Sequence, residues 1–132
     1  MHEPDPVTVA VLDTGYVPHP DLADNLLVAD GYDFISDGGQ SGDGDGTDRD
    51  ATDRGIDGSW HGTAIAGVIA ALTDNGTGVA GMGWPWDRSP VTIMPVRVAG
   101  PRGATTYDVV QGLLYAAGLD NDAGVRPPRP AR

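Results

Sequence analysis

Apolar residues recur along the chain in patterns that predict alternating strands and helices. Val7–Leu12 is a continuous apolar run rich in β-branched residues, as in a strand buried on both faces of a parallel sheet, and we expect it to be central. Val91–Val98 is a second long run that predicts another strand. Gly31–Ile35 predicts a further short strand. Pro95 lies inside the second long run and predicts a bulge or a local break in pairing. Because helical patterns separate the strands, the chain is predicted to form a parallel α/β sheet.

Two segments have the three- and four-residue spacing of amphipathic helices. The first runs over about residues 61–72, and its predicted buried positions are Ile65, Val68, Ile69 and Leu72. We place Ser59 as the residue that caps this helix. The second begins at a capping box, Thr105–Asp108, and its predicted buried positions are Val109, Leu113, Ala116 and Ala117.

Two residues at the ends of these elements could carry chemistry. Asp13 follows the first strand, where functional groups gather in open α/β sheets, although an Asx turn that closes the strand explains it equally well. His61 opens the first helix, where the helix dipole disfavours the imidazolium form, although a histidine that only caps the helix also fits. If the two side chains meet, the carboxylate would fix the imidazole tautomer and leave the other ring nitrogen as a general base.

Composition narrows the choice of partners. The chain has 132 residues, enough for one domain or part of one, with 19 acidic residues against 8 basic residues and a net charge of −11. This charge argues against nucleic acid and against an anionic membrane as partners. The absence of cysteine excludes disulfides and thiolate metal sites. No segment approaches the ~18 apolar residues of a membrane span, and the acidic start does not resemble a signal peptide.

The segment from Asp37 to Asp57 consists mostly of glycine, aspartate, serine and threonine, and we call it the acidic segment. Its crowded carboxylates are Asp43, Asp45, Asp48, Asp50, Asp53 and Asp57. Oxygen ligands at alternate positions suit Ca²⁺, but the segment is not an EF-hand loop, because Asp48 stands where that loop needs glycine and Arg54 where it needs glutamate. A solvated, disordered loop and a calcium site both remain open as interpretations.

In order along the chain, these motifs resemble those of the subtilisin-like serine proteases (subtilases, peptidase family S8). Residues 9–15 with 19–22 resemble the region of the catalytic aspartate, and residues 61–67 with 78–81 resemble the region of the catalytic histidine. Residues 96–107 resemble the strand and loop that follow. The resemblance implies a three-layer subtilisin-like fold with a parallel sheet, in which Asp13 orients the ring and His61 acts as the base.

The same resemblance implies binding sites. Gly103, Ala104 and Thr105 match the edge segment that pairs with the substrate backbone as an added strand. Asp21 and Asn75 match positions around a family calcium site. The acidic segment resembles insertions that bind calcium in secreted bacterial members, so its candidate ligands are Asp43, Asp45, Asp48 and Asp50. The implied protein is secreted, acts on peptides or proteins, holds structural Ca²⁺ and needs no organic cofactor.

The chain also departs from the family pattern. Ala64 replaces a second histidine that most members have, at a position that takes no part in proton transfer. None of the four serines, which are Ser36, Ser41, Ser59 and Ser89, lies in the sequence context of the family nucleophile. We therefore expect residues 1–132, with a Pro/Arg-rich tail at 125–132, to be an incomplete fold that lacks C-terminal strands and helices. Peptide hydrolysis is expected only with the missing C-terminal part, because base and orienting acid alone cannot form an acyl-enzyme.

Two other functions fit parts of the sequence. Asp13–Gly15 could be an aspartic-protease motif that works as a homodimer, but Tyr16 stands where that motif needs serine or threonine. The acidic segment could instead belong to a non-catalytic calcium-binding module. For the incomplete subtilisin-like fold, the unpaired sheet edge predicts aggregation or dependence on a partner chain.

Overall fold

The computed structural model of the protein describes residues 6–56, 58–83 and 91–132, so Asp57 and Ser89 lie outside the described residues. The described elements, in chain order, are β1 (Val7–Asp13), a 3-10 turn (Val28–Asp30), β2 (Tyr32–Asp33), α1 (Gly38–Ser41), α2 (His61–Ala70), β3 (Val91–Arg97), β4 (Ala99–Gly100), β5 (Gly103–Ala104) and α3 (Thr106–Ala116).

The predicted parallel sheet is confirmed, with β1, β3 and β2 side by side in that order among the described strands. β3 rather than β1 is central, so the expected central position of the first strand is wrong for this part of the sheet. The predicted interruption at Pro95 is also wrong, because the register between β1 and β3 runs unbroken through Val11↔Pro95. β2 pairs with β3 only at Val96 and Arg97, so the ladder needs no N–H from Pro95 on that side.

Helices cover both faces of this sheet, which gives three layers. On one face, Ala66 and Ala70 of α2 pack with Leu22 and Ile93. On the other face, Tyr115 of α3 packs with an aromatic and aliphatic cluster whose other buried members are Tyr32, Phe34, Met94, Val96, Val98 and Ala116. Neighbouring β3 residues enter opposite clusters because successive strand side chains point to opposite faces.

The fully buried residues of α2 are small, which the sequence analysis did not predict. Gly62, Ala66 and Ala70 are buried, whereas Ile65 and Val68 are 36% and 55% exposed. The reason is the close approach of the helix to the end of β1, since a Cβ on Gly62 would lie 2.2 Å from the carbonyl oxygen of Gly15. Small residues permit this contact, so Ile65 and Val68 are left exposed. Ile69 is partly buried against the cluster, in line with the prediction, and Leu72 lies beyond the end of α2.

Close packing at a glycine also determines which face of α3 is buried. The predicted cap is confirmed, because the Thr105 side chain accepts a hydrogen bond from the Asp108 N–H at 3.1 Å. Ala116 is buried as predicted, but Leu113 is 54% exposed, and Ala117 is also exposed, so both predictions are wrong. Gly112 provides the contact surface instead, since a Cβ there would lie 2.8 Å from Val98.

The described part of the acidic segment is hydrogen-bonded to the sheet, although several of its residues are exposed. Asp37 caps α1 by accepting a hydrogen bond from the Gly39 N–H at 2.9 Å. Asp48 exchanges two backbone hydrogen bonds with Asp33 of β2, at 2.8 and 3.1 Å. The interpretation as a disordered loop is therefore not what the structure shows.

Candidate functional site

The fold brings Asp13 and His61 together, since β1 ends at the first and α2 begins at the second. Nδ1 of His61 lies 2.8 Å from Oδ2 and 2.9 Å from Oδ1 of Asp13. The Thr14 N–H also donates to Asp13 Oδ1 at 2.7 Å. An ionised carboxylate can only accept hydrogen bonds, so this contact assigns the ring proton to Nδ1 and leaves Nε2 as an acceptor. The His61 side chain is 61% exposed, so the ring is accessible.

The start of α2 is held by residues from the β1 end rather than by a local cap. Trp60, not Ser59, occupies the N-cap position, so the predicted cap is wrong. Its backbone is left-handed, with φ 47°, and its side chain makes no capping hydrogen bond. Thr14 Oγ1 accepts instead from the Gly62 N–H at 3.1 Å. Thr63 Oγ1 in turn accepts from the Val17 N–H at 2.9 Å, which fastens the loop after β1 to the helix.

An apolar groove of about 620 Å³ opens beside the first turns of α2. It is lined by the outward face of the helix and by adjoining loops, and its lining includes Val17, Leu22, Trp60, Ala64, Val68 and Val79. The exposed apolar face of α2 therefore continues into a concave surface, which includes Trp60 but not His61 in its lining.

The predicted substrate-binding residues lie along one short edge. Gly103 and Ala104 form β5, which is antiparallel to β4, and both are exposed. Thr105 follows them, and its hydroxyl oxygen is engaged as the cap of α3. The edge is therefore open to solvent, while its last residue anchors the following helix.

Asp21 and Asn75, predicted around a calcium site, are in direct contact. Asn75 Nδ2 donates to Asp21 Oδ1 at 2.8 Å, and the Val79 N–H donates to Oδ2 at 2.8 Å. The Val79 N–H, followed by the Asn75 amide, lowers the pKa of the Asp21 carboxyl from its ordinary value. Asp21 is only 3% exposed. Because Asn75 and Val79 donate to its two oxygens, the chain itself satisfies this buried carboxylate.

The acidic segment contains a different kind of cluster. Asp43, Asp45 and Asp48 each offer one carboxylate oxygen within 4.8 Å of the others. The Asp43 side chain is only 10% exposed, and neither of its oxygens accepts a hydrogen bond from any residue that the structure describes. Its nearest cationic atoms are on Arg54 and Arg97, at 3.5 and 3.6 Å. Buried carboxylate oxygens without donors fit a hard cation such as Ca²⁺.

Other carboxylates of this segment have protein partners. Asp50 accepts from Thr52 and pairs with Arg54 at 2.5 Å, so the structure places this predicted ligand apart from the cluster. Asp53 accepts from the Thr14 hydroxyl at 2.7 Å. Asp43, Asp45 and Asp48 are therefore the predicted ligands that the structure brings together.

Sequence reasoning missed a buried ion pair behind the site. Arg97 Nη1 lies 2.6 Å from Asp33 Oδ2, and both side chains are almost wholly buried. Arg97 also donates to the carbonyl oxygens of Ser41 and Thr14, at 2.6 and 3.2 Å. A charged residue inside an otherwise apolar strand was the available signal, because a buried arginine requires a partner.

The family is decided by comparison with known proteins. Residues 5–126 match the subtilase family (Peptidase S8). The chain belongs to the subtilase family. This subtilase chain is 40% identical over 124 residues to an extracellular protease of Xanthomonas campestris pv. campestris, with 83% of this chain and 20% of that protein covered. It is 37% identical over 111 residues to thermitase of Thermoactinomyces vulgaris, with 83% and 32% covered.

A solved structure agrees with the sequence comparison. A protease of Pseudoalteromonas arctica has a TM-score of 0.83 and 40% sequence identity, covering 96% of this chain and 39% of that one. The predicted subtilisin-like α/β fold is thus confirmed, and it is a partial domain. The subtilase chain spans only 20% and 32% of the length of the two curated relatives. None of the helices in the described residues is long and apolar enough to cross a membrane.

Proposed function

We propose that the chain is the N-terminal part of the catalytic domain of a serine endopeptidase. The observation that carries this proposal is the contact between His61 Nδ1 and Asp13 Oδ2 at 2.8 Å in a subtilase chain. Nε2 of His61 would take the proton from a serine hydroxyl as that oxygen attacks the scissile carbonyl. Asp13 would hold the ring in the required tautomer and stabilise the imidazolium as it forms.

The nucleophile is proposed to come from the C-terminal part of the domain, outside this chain. Ser41 is fully buried, with its hydroxyl 2.6 Å from the carbonyl oxygen of Asp45. Ser59 lies two residues before the base, and its sequence context is not that of the family nucleophile. Because base and orienting acid alone cannot acylate, we propose that the isolated chain does not hydrolyse peptides.

The proposed substrate is a peptide or protein in extended conformation. Gly103 and Ala104 form an exposed edge strand, which suits backbone pairing with an added strand. Thr105 would fix the end of that edge through its cap on α3. The net charge of −11 supports the proposal that neither nucleic acid nor an anionic membrane is a partner. Relatives named extracellular proteases support export of the protein.

We further propose that the acidic segment holds a structural Ca²⁺. Asp43, Asp45 and Asp48 would supply ligands, supported by the buried Asp43 oxygens that lack hydrogen-bond donors. The same oxygens favour calcium binding as a second candidate function of the chain by itself. Asp21 with Asn75 is a weaker candidate, because each already bonds the other. We do not propose the aspartic-protease alternative, because both oxygens of Asp13 contact the imidazole.

The proposed activity can be tested in a chimera. This chain would replace the matched segment of the Xanthomonas extracellular protease, and hydrolysis of a chromogenic peptide would be measured. We expect activity that falls by about 10⁴-fold or more in His61→Ala, since a triad without its base loses nearly all acceleration. His19→Ala, a matched change in the loop after β1, should keep most of the activity. Equal hydrolysis by the His61→Ala chimera would refute the assignment of the base.

A further inference from the structure

We infer that Asp53 is a positioning residue for the Asp13–His61 pair and acts through the hydroxyl of Thr14. The inference rests on the proposed function of that pair. Thr14 Oγ1 donates to Asp53 Oδ2 at 2.7 Å and accepts from the Gly62 N–H at 3.1 Å. Thr14 directly follows Asp13 and Gly62 directly follows His61, so a single hydroxyl connects the backbones of both members.

Asp53 sets the direction of these two hydrogen bonds. A hydroxyl has one proton, and an ionised carboxylate can only accept, so the Thr14 proton points to Asp53. The oxygen then presents a lone pair to the Gly62 N–H. The negative charge of Asp53 also lies on the N-terminal side of α2, where the helix dipole favours an anion. Without the carboxylate, the hydroxyl could turn its proton elsewhere and weaken its contact with the helix.

Asp53 is itself held in place, as a positioning residue must be. It is 6% exposed, and its Oδ1 accepts from the Gly55 N–H at 2.8 Å. Its own N–H donates to the Tyr16 carbonyl oxygen at 2.7 Å, and the Tyr16 N–H donates to the Ala51 carbonyl oxygen at 3.1 Å. Backbone hydrogen bonds therefore join the acidic segment to the loop after β1 around the carboxylate.

The helix start depends on this outside contact. N–H groups in the first turn of a helix have no acceptor within the helix, and the Trp60 side chain supplies none. The Thr14 hydroxyl takes the place of the missing local cap at Gly62. Loss of this contact would let the first turn shift, and the imidazole at its start would shift relative to Asp13.

The test measures both ends of the contact by NMR in the 132-residue chain. In Asp53→Ala, we expect the Gly62 amide to exchange with solvent about fivefold faster, the factor expected for losing one helix cap. We also expect the ratio of the Nδ1–H to the Nε2–H tautomer of His61 to fall by about fivefold, for the same loss of a cap. Ring ¹⁵N chemical shifts report the tautomer directly. A purely structural role would lower the melting temperature without changing the tautomer.

Matched variants separate the hydroxyl from side-chain shape and from charge. Thr14→Ser retains the hydroxyl and should keep both signals, whereas Thr14→Val should reproduce Asp53→Ala. Asp37→Asn removes a charge from the same segment, where the carboxylate contacts Gly39 and Arg102, and should change neither signal. If Asp53→Ala does not fold, the comparison of Thr14→Val with Thr14→Ser decides.

Asp13→Asn distinguishes failure of this inference from failure of the proposed function. If Asp13→Asn alters the tautomer ratio but Asp53→Ala and Thr14→Val leave it as in the wild type, positioning by Asp53 is wrong and the pair stands. If Asp13→Asn also leaves the ratio unchanged, the pair itself does not control the imidazole, and both proposals fall.

Discussion

The carboxylates of Asp13 and Asp43 differ in the hydrogen bonds that they accept from the rest of the chain. Asp13 receives a backbone N–H from Thr14 and the ring Nδ1 of His61. The Asp43 side chain is more enclosed, at 10% exposure against 18% for Asp13, yet its oxygens accept no hydrogen bond from the described residues. The chain itself supplies hydrogen-bond donors to Asp13, whereas Asp43 has only the guanidinium groups of Arg54 and Arg97 near it, at 3.5 and 3.6 Å. A buried carboxylate whose oxygens accept no hydrogen bond can still bind a cation, whereas one that is already hydrogen-bonded by the chain is available for a role of its own.

Arg97 links the two regions. Its guanidinium donates to the Thr14 carbonyl oxygen beside Asp13, and it lies 3.6 Å from Asp43 in the acidic segment. The ion pair with Asp33 fixes this guanidinium within the sheet. The acidic segment therefore reaches the candidate active site by two routes, through Arg97 and through Asp53.

The largest effect of a substitution on activity is expected at the Asp13–His61 pair. In the chimera, Asp13→Asn should lower kcat by about 10⁴-fold, because an amide in place of the carboxylate favours the wrong imidazole tautomer. Asp24→Asn, a matched change at an exposed position, should leave kcat unchanged. Steady-state peptide hydrolysis measures both. A loss below tenfold in Asp13→Asn would break the distinction between the two carboxylate groups.

Arg97, which links the two regions, should contribute more to stability than an exposed arginine does. Arg97→Met leaves Asp33 buried without its partner, and removal of one member of a buried pair costs about 3–5 kcal/mol. Urea unfolding of the 132-residue chain measures this loss. Arg102→Met removes an exposed pair with Asp37 and should cost less than about 1 kcal/mol. Similar losses in the two variants would contradict a special role for Arg97.

Calcium should stabilise the chain by binding to the cluster of Asp43, Asp45 and Asp48. Saturating Ca²⁺ should raise the melting temperature of the chain, with a gain of about 2.7 kcal/mol at one hundred times the dissociation constant. Asp43→Asn should abolish this gain, while Asp50→Asn, which changes a carboxylate already paired with Arg54, should retain it. A melting temperature that chelator leaves unchanged would remove the calcium proposal, including the calcium-module alternative.

The Asp21 carboxyl predicts how the stability of the chain depends on pH. Hydrogen bonds from Val79 and Asn75 lower the pKa of this carboxyl below its ordinary value of 3.8. Its contribution to stability is therefore present above the unfolded pKa and is lost as the pH falls through the folded pKa. The difference in unfolding free energy between wild type and Asp21→Asn should shrink as the pH falls below 3.8. A difference that grows with acidity would reverse the assigned sign.

The sequence predicted those parts of the molecule that local pattern determines. The apolar runs that became β1 and β3, and the cap at Thr105, depend on neighbours along the chain. Asp13 and His61 stood out because each lies at the end of a predicted element. The order of motifs then supplied the family that the comparisons confirm.

The features that sequence reasoning missed depend on tertiary contacts. The buried face of α2 is set by the approach of Gly62 to Gly15, which hydrophobic spacing does not reveal. The acidic segment is ordered because a buried arginine from β3 and the Thr14 hydroxyl meet it from elsewhere in the fold. Asp43 and Asp50 are two aspartates of one segment, and only the fold shows that Asp50 accepts hydrogen bonds whereas Asp43 accepts none from the described residues.

The central claim is that Asp13 and His61 activate a nucleophile that this chain does not contain. Labelling with a fluorophosphonate probe, which marks activated serines, tests it most directly. We expect no labelling of the 132-residue chain and strong labelling of the chimera, abolished there by His61→Ala. Labelling of the isolated chain at any of its own serines would contradict the claim.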